Sequence, residues 1–183
     1  MSAPTTAPVI AAGTYNVDAA HSEIGFTVRH LGVSKVRGRF AKFEGVITIA
    51  EDVLASSVTA TAQVASVDTN DESRDGHLKT GDFFDVETYP TLTFVSTAVR
   101  AKGGDYELVG NLTIKAVTKE VVFELEFGGS EQDPWGGTRL GFSAETEINR
   151  KDFGMEFNMV LDSGGLLVGE KVKIKLEIEA VKA

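Results

Sequence analysis

Apolar side chains recur at every second position along most of this chain. In residues 21–32, HSEIGFTVRHLG, one face carries Ile24, Phe26 and Val28, and His30 follows on that same face. A period of two is typical of a β-strand with one dry face and one wet face. The histidine that continues this apolar face is therefore a satisfied core residue, a metal ligand or the polar end of a ligand chamber.

The same alternation predicts further strands within residues 58–64, 108–114, 121–127, 140–148 and 172–178. Strands with one apolar face belong to antiparallel sheets. Between residues 36 and 49 the apolar face changes phase, which predicts a β-bulge near Ala41–Lys42. Turns are predicted at 102–105 and 116–119. Eight or nine such strands indicate a sandwich or a closed barrel, and we favour the barrel because closure removes exposed edges.

Helical patterning is confined to residues 69–81, TNDESRDGHLKTG. Thr69 and Glu72 predict a capping box at its start, and Gly81 predicts a C-cap at its end. Because Leu78 is the only large apolar residue of this segment, we expect a small helix that covers one end of the sheet. Residues 154–169 show weak patterning and are expected to form an irregular loop.

Composition limits the classes of function. The 183 residues are 42% hydrophobic, which predicts one folded domain at 13–183 after a disordered tail at 1–12. A formal charge of −9 argues against a nucleic-acid partner. The absence of cysteine excludes disulfides and thiolate ligands. No apolar run is long enough to span a membrane or to act as a signal peptide, so we expect a cytoplasmic protein without a membrane span.

Motifs for metal binding and catalysis are missing. The histidines His21, His30 and His77 do not have the spacing of a local zinc motif, so no metal site is predicted. No nucleophile elbow or phosphate-binding loop occurs, and no catalytic residue is assigned.

Two clusters of polar residues remain. Arg74, Asp75 and His77, followed by Phe83 and Phe84, indicate either the rim of a pocket or a helix fastened to the mouth of a barrel. The second cluster is the basic run Lys35, Arg37, Arg39 and Lys42. It is better explained by a solvated strand face than by a site for an anionic head group, since its cations alternate with Val36, Gly38 and Phe40.

Three long segments carry a family resemblance: DAAHSEIGFTVRHLGVSKVRGRF, DESRDGHLKTGDFFDVETYPTLTF and VGNLTIKAVTKEV. They resemble the YceI-like family of bacterial lipocalin-like proteins, and the likeness runs from Thr14 to Ala180. The resemblance implies an all-β fold, an extended antiparallel eight-stranded lipocalin-like β-barrel with one or two short helices. It also implies an apolar channel that holds a polyisoprenoid, such as a polyprenyl pyrophosphate or an isoprenoid quinone. The family's His and turn Gly are replaced here by Lys115 and Ala116.

The resemblance and the strand pattern together predict the site. The expected ligand-binding residues are Ile24, Phe26, Val28, His30, Phe40, Phe83, Phe84, Tyr89, Phe94, Leu112, Phe123 and Phe142. The expected head-group or rim residues are His21, Arg29, Arg74, Asp75 and His77. An eight-stranded barrel has room for side chains or for one small ligand.

The leading hypothesis is a protein that carries or sequesters an isoprenoid lipid and uses no cofactor. The alternative is an enzyme that acts on an isoprenoid substrate in the same chamber, with His30, His21 or Asp75 as acid or base. A third reading is an interaction module whose barrel is simply filled. Formation of a homodimer is left open, because no exposed apolar strand requires it.

Overall fold

The computed structural model describes residues 10–183, and β-strands dominate it. The elements are β1 (Gly13–Val17), β2 (Glu23–His30), β3 (Ser34–Phe40), β4 (Phe43–Ile49), β5 (Ser57–Gln63), β6 (Val67–Asp68), α1 (Glu72–Leu78), β7 (Thr91–Lys102), β8 (Asp105–Ile114), β9 (Val117–Gln132), β10 (Thr138–Asn149) and β11 (Val168–Lys182). Short 3-10 turns lie at Ala19–His21, Val53–Ala55, Val64–Ser66 and Arg150–Phe153.

The strands form one closed antiparallel barrel, which confirms the predicted fold class. β1 and β2 are two halves of one long strand, because both pair with β11. β3 and β4 form the next long strand, which pairs with β2 and β1 respectively. With β5 and β6 as the third, and β7 to β11 as the others, the barrel has eight long strands.

The predicted bulge is present between β3 and β4. Ala41 and Lys42 interrupt the strand, and their amide N–H groups donate to the carbonyl and the hydroxyl oxygen of Ser66. The interruption changes the phase of the strand, so Phe40 before it and Ile47 after it both point inward and are buried. The bulge thus keeps one apolar face on the inside of a sharply bent strand.

The helix begins later and is shorter than the pattern predicted. Its N-cap is Asp71, whose carboxylate accepts from the Arg74 amide, and it ends at Leu78 rather than near Gly81. Thr69 does not form a capping box with Glu72. Its amide and hydroxyl instead donate to the Asp75 carboxylate, which attaches the helix to the end of β6.

The hairpin between β8 and β9 turns two residues earlier than expected. Ile114 pairs with Val117, so the turn residues are Lys115 and Ala116, at φ values of 53° and 61°. Both are left-handed conformations that glycine adopts more easily, and a two-residue hairpin of type I′ requires them at both positions. The Lys115 ammonium donates to the Gly154 carbonyl at 3.2 Å, so this side chain connects two loops.

The two ends of the barrel differ. Antiparallel order places residues 31–33, α1, the 115–116 turn and residues 150–167 at one end, which we call the mouth. At the other end, a second cluster of buried residues surrounds Tyr15, which is fully buried and donates its hydroxyl to the Ala11 carbonyl. Burial raises the pKa of this phenol above its ordinary value.

The predicted tail lies mostly outside the described residues, which begin at Ile10. Residues 10–12 form no helix or strand, and Ile10 packs against the cluster around Tyr15. Within residues 10–183, no helix has the length and apolar character needed to cross a bilayer.

Candidate ligand-binding site

A cavity of about 560 Å³ lies inside the barrel. Pockets for small ligands typically enclose about 300–1,000 Å³. The wall of this cavity is formed by the inward-facing apolar residues of the strands, which alternate along each strand with polar residues on the outer face. Ile24, Phe26 and Val28 of β2, and Val172 and Ile174 of β11, face inward but stay only partly buried, because the space in front of them is not filled by protein.

The structure brings together most of the predicted lining residues. Those that border the cavity are Ile24, Phe26, Val28, His30, Phe40, Phe83, Phe84, Phe94, Leu112, Phe123 and Phe142. His30 is the last inward residue of β2, so the polar side chain lies at the mouth and the apolar ones lie deeper. The reading of His30 as the polar end of a chamber therefore matches its position.

Tyr89 does not border the cavity, contrary to the prediction. It lies in the turn-rich segment after α1, where its amide donates to the Asp85 carbonyl at 2.8 Å. This segment leads to β7 and is held by its own backbone hydrogen bonds, so the strand alternation that places other aromatic residues inside does not apply to it.

The predicted rim residues divide into three groups. Arg74 and His77 border the cavity at the mouth. Arg29 also borders it, but its side chain is exposed on the outer face, because it alternates with Val28 and His30. His21 and Asp75 are not among the residues that line the cavity. His21 is nine positions before His30 on an extended path, about 30 Å away, and Asp75 instead accepts the two hydrogen bonds from Thr69.

Helix α1 and the loop before β11 meet over the mouth through aromatic rings. The His77 ring lies 5.1 Å from the ring of Phe83 and 5.0 Å from that of Phe157, edge to face in both cases. His77 Nε2 also lies 2.8 Å from a carboxylate oxygen of Asp82. Such edge-to-face pairs are each worth about 0.5–1.5 kcal/mol beyond the area they bury. This contact partly covers the cavity from above.

Arg150 is a cavity-lining residue that sequence reasoning missed. Its side chain is only 2% exposed, and its Nε, Nη1 and Nη2 groups donate to the carbonyls of Gly169, Met155 and Val168. Burial lowers the pKa of this guanidinium, although the charge of Glu170 opposes the effect. A guanidinium has five N–H donors, so two remain for other acceptors. No alternation or motif marks this residue, because it follows the end of β10 and begins the 3-10 turn Arg150–Phe153.

His21 belongs to an ionic network in the side wall of the barrel. Its Nδ1 is 2.8 Å from Asp18, and Arg139 Nη1 is 2.9 Å from the same carboxylate and 3.2 Å from Glu179. Arg139, and then His21, hold the pKa of Asp18 at about 2. The ligand atoms of Asp18, His21 and Glu179 lie within 4.8 Å of one another, but the Arg139 guanidinium already supplies the positive charge that a metal ion would bring.

A closed eight-stranded antiparallel barrel with an apolar cavity and polar groups at one end defines the lipocalin-like class of β-barrels. The YceI-like domain family matches residues 15–180, and the chain belongs to that family. It is 44% identical over 149 residues to a UPF0312 protein of Vibrio cholerae, and the match covers 79% of each protein.

Solved structures share this fold, and two of them are compared with it. BcnA of Burkholderia cenocepacia matches with a TM-score of 0.78 and 27% identity, over 89% of this chain and 98% of that one. A polyisoprenoid-binding domain from Saccharophagus degradans matches with a TM-score of 0.70 over 94% of this chain and 100% of that one. Its identity of 16% shows similarity of fold alone.

Proposed function

We propose that this protein binds an isoprenoid lipid, a polyprenyl pyrophosphate or an isoprenoid quinone, inside its barrel and carries or sequesters it without catalysis. The observation that carries the proposal is the apolar cavity of about 560 Å³, whose inward side chains remain partly exposed. Membership of the YceI-like family supports it, as does the polyisoprenoid-binding domain that shares the fold.

The wall of the cavity matches a branched hydrocarbon chain. Burying roughly 500 Å² of isoprenoid surface would contribute on the order of 12 kcal/mol at about 25 cal/mol per Å². Losses from association and ordering reduce that value considerably but leave room for tight binding. Among the described residues, no buried side-chain nitrogen or oxygen lacks a hydrogen-bond partner.

The head group is expected at the mouth. His30, Arg74 and His77 border the cavity there, and Arg150 also lines it with two N–H donors that its three carbonyl partners leave free, so these residues are the candidates to bind an oxygen-rich group. A pyrophosphate or a quinone carbonyl accepts hydrogen bonds of this kind. The positions of these residues support a ligand that enters tail first.

The enzymatic alternative has less support from the geometry. Of its three candidate acids and bases, His30 borders the cavity, whereas His21 and Asp75 do not. A proton-transfer group must reach the reacting atoms directly or through one water. A pair of cooperating groups drawn from these three residues is therefore not assembled in the cavity.

The test begins with protein purified from its own host. Denaturing extraction followed by mass spectrometry should release a prenyl lipid, and the emptied protein should rebind a synthetic polyprenyl pyrophosphate, quinone or alcohol. Ile174→Trp adds bulk inside the cavity and should abolish binding. Val122→Trp adds the same bulk on the outer face and should leave binding intact.

The result that refutes the proposal is also defined. If the wild-type protein yields no lipid on extraction and binds none of the three probes, the cavity has another role. A turnover product that disappears in His30→Ala, while lipid binding is kept, would favour the enzymatic alternative instead.

A further inference from the structure

Exposed apolar side chains concentrate at the mouth. In the described part of the chain, Leu31 and Val33 lie in the turn between β2 and β3, and Met159, Val160 and Leu166 lie in the loop before β11. Val33 is 81% exposed and Val160 is 72% exposed. We call residues 31–33 and 154–167 the mouth loops. Water-exposed clusters of this kind mark interaction sites more often than isolated exposed residues do.

The mouth loops are held together and frame the cavity. The Leu31 amide donates to the Leu167 carbonyl at 2.9 Å, and the Leu167 amide donates to the Met159 carbonyl at 2.9 Å. Val160 and Leu166 form an isolated β-bridge, so their segment is a small hairpin. Leu167 and the adjacent His30 line the cavity. A partner that covers these loops therefore also faces the opening.

Positive charge lies directly behind the mouth loops. Arg29 and Lys35 are opposite each other on the outer faces of β2 and β3, and Arg37 is two residues further along β3. None of the three forms an ion pair with another residue of the range 10–183. In a protein with a formal charge of −9, this local excess of cations complements an anionic surface.

The distance of each cation from the mouth determines how strongly it can interact with a charged surface there. A strand rises about 3.3 Å per residue, so Lys35 lies about 3 Å and Arg37 about 10 Å below the last paired residue, Ser34. Lys175 also faces outward, but it pairs with Gly25 and lies about 17 Å below the mouth. The Debye length in physiological salt is about 8 Å, so Arg37 is partly screened from a surface that touches the mouth loops and Lys175, at about twice that length, is largely screened.

We propose that the mouth loops and the cations Arg29, Lys35 and Arg37 form a docking surface for an anionic lipid bilayer. The apolar tips enter the interfacial region, and the cations lie at the level of the head groups. The contact goes beyond ligand binding in the cavity, and it places the opening against the lipid phase. Glu156 and Asp162, the two acidic residues of the mouth loops, carry the same sign of charge as such a bilayer and limit the affinity.

The first test is co-sedimentation with vesicles of phosphatidylcholine, with and without phosphatidylglycerol. Binding is expected only with phosphatidylglycerol, and it should weaken as salt is added. Lys35→Gln should lower the partition coefficient about fivefold, the equivalent of about 1 kcal/mol per cation near an anionic surface. The matched variant Lys175→Gln should change it less than about twofold. Val33→Ser should lower it about tenfold, and Asp162→Asn should raise it.

The second test determines which end of the barrel touches the bilayer. Trp135, which is 85% exposed, lies in the hairpin between β9 and β10 at the end opposite the mouth. Its fluorescence should not shift when vesicles are added. A protein with Trp135→Phe and Val33→Trp should show a blue shift with anionic vesicles.

Three results would overturn the docking surface. These are an absence of binding to anionic vesicles at low salt, an equal loss in Lys175→Gln and Lys35→Gln, or a shift of Trp135 itself. Residues 34–38 of β3 pair with β2 on one side, and only Arg39 and Phe40 pair with β6 on the other. A Lys35→Gln protein that self-associates while wild type binds no vesicles would show that the cation protects this free strand edge. Affinity for a prenyl lipid in detergent should be unchanged in Lys35→Gln, which separates this proposal from binding in the cavity.

Discussion

A single methyl group added at Gly38 tests whether the barrel interior is vacant. Gly38 is paired with Phe26, whose ring lies flat over the position where a β-carbon would be. An added Cβ would come within 2.8 Å of both Cε atoms of that ring, whereas ordinary contacts begin near 3.4 Å. The ring must therefore move in Gly38→Ala, and the cavity that Phe26 borders is the space available to it.

The loss of stability in Gly38→Ala depends on whether the Phe26 ring can move. Overpacking a core costs about 1–3 kcal/mol, while alanine in a strand gains about 0.5–1 kcal/mol over glycine. With an empty cavity, Gly38→Ala should lower the free energy of unfolding by at most about 1 kcal/mol. Gly110 is the matched control, because a Cβ there meets the Val95 carbonyl oxygen at 2.7 Å as well as the Phe94 ring. The Val95 backbone, unlike the Phe26 ring, cannot move into the cavity. Gly110→Ala should therefore lower the free energy of unfolding by about 2 kcal/mol or more.

Urea unfolding of lipid-free protein measures both values. Adding Phe26→Leu should remove the penalty of Gly38→Ala, so the double variant should show a coupling energy of about 0.5–1 kcal/mol. Bound lipid should increase the penalty, because the displaced ring and the ligand then compete for the same space. The reasoning fails if Gly38→Ala is as destabilising as Gly110→Ala in lipid-free protein, or if the Phe26 and Gly38 substitutions are additive.

Three further predictions concern stability. Ala116→Gly should raise the free energy of unfolding by about 0.5–1 kcal/mol, because glycine relieves the left-handed backbone, whereas Ala101→Gly within β7 should lower it by a similar amount. Asp18→Asn should lower the free energy of unfolding by roughly 2 kcal/mol at pH 7, since the pKa of Asp18 falls from 3.8 to about 2 on folding. The stabilisation by the ionised Asp18 carboxylate is present above pH 4 and is lost as the pH falls toward 2. Asp18→Asn should therefore lose less stability than the wild type over this interval. Arg150→Met should cost about 3 kcal/mol, because three carbonyls lose their donor.

Each of these predictions can be checked by urea denaturation. Equal effects of Ala116→Gly and Ala101→Gly would contradict the argument from backbone strain. Stability curves of Asp18→Asn and wild type that run parallel from pH 7 to pH 2 would contradict the role of the ion pair with Arg139. Arg150→Lys keeps the charge but reaches fewer carbonyls, so full recovery in that variant would show that charge alone matters.

Local patterns determined more of the barrel wall than of its mouth. In β2, the alternation of Ile24, Phe26, Val28 and His30 was sufficient to place all four on the inner face, because a strand turns successive side chains to opposite sides. The change of phase after Phe40 located the bulge for the same reason. These predictions depend only on backbone geometry over a few residues.

The mouth was less predictable, because its residues meet across long separations in the chain. Arg150 donates to carbonyls near residue 168, and the Phe157 ring packs on His77 of α1. The family resemblance predicts Tyr89 in the cavity wall, whereas Tyr89 lies in a turn held by backbone hydrogen bonds and does not border the cavity. The start of α1 was also misplaced, since Thr69 found a partner in Asp75 rather than in Glu72.

The amino-acid sequence alone determined antiparallel strands with one apolar face, the place where the bent strand changes phase, and the family to which the chain belongs. Only the tertiary structure decided that the interior contains open space, and which polar groups surround its mouth. The physical reason is that the orientation of a strand's side chains follows from neighbouring residues. The volume left between eight strands, and the contacts among loops, depend on the closure of the whole barrel.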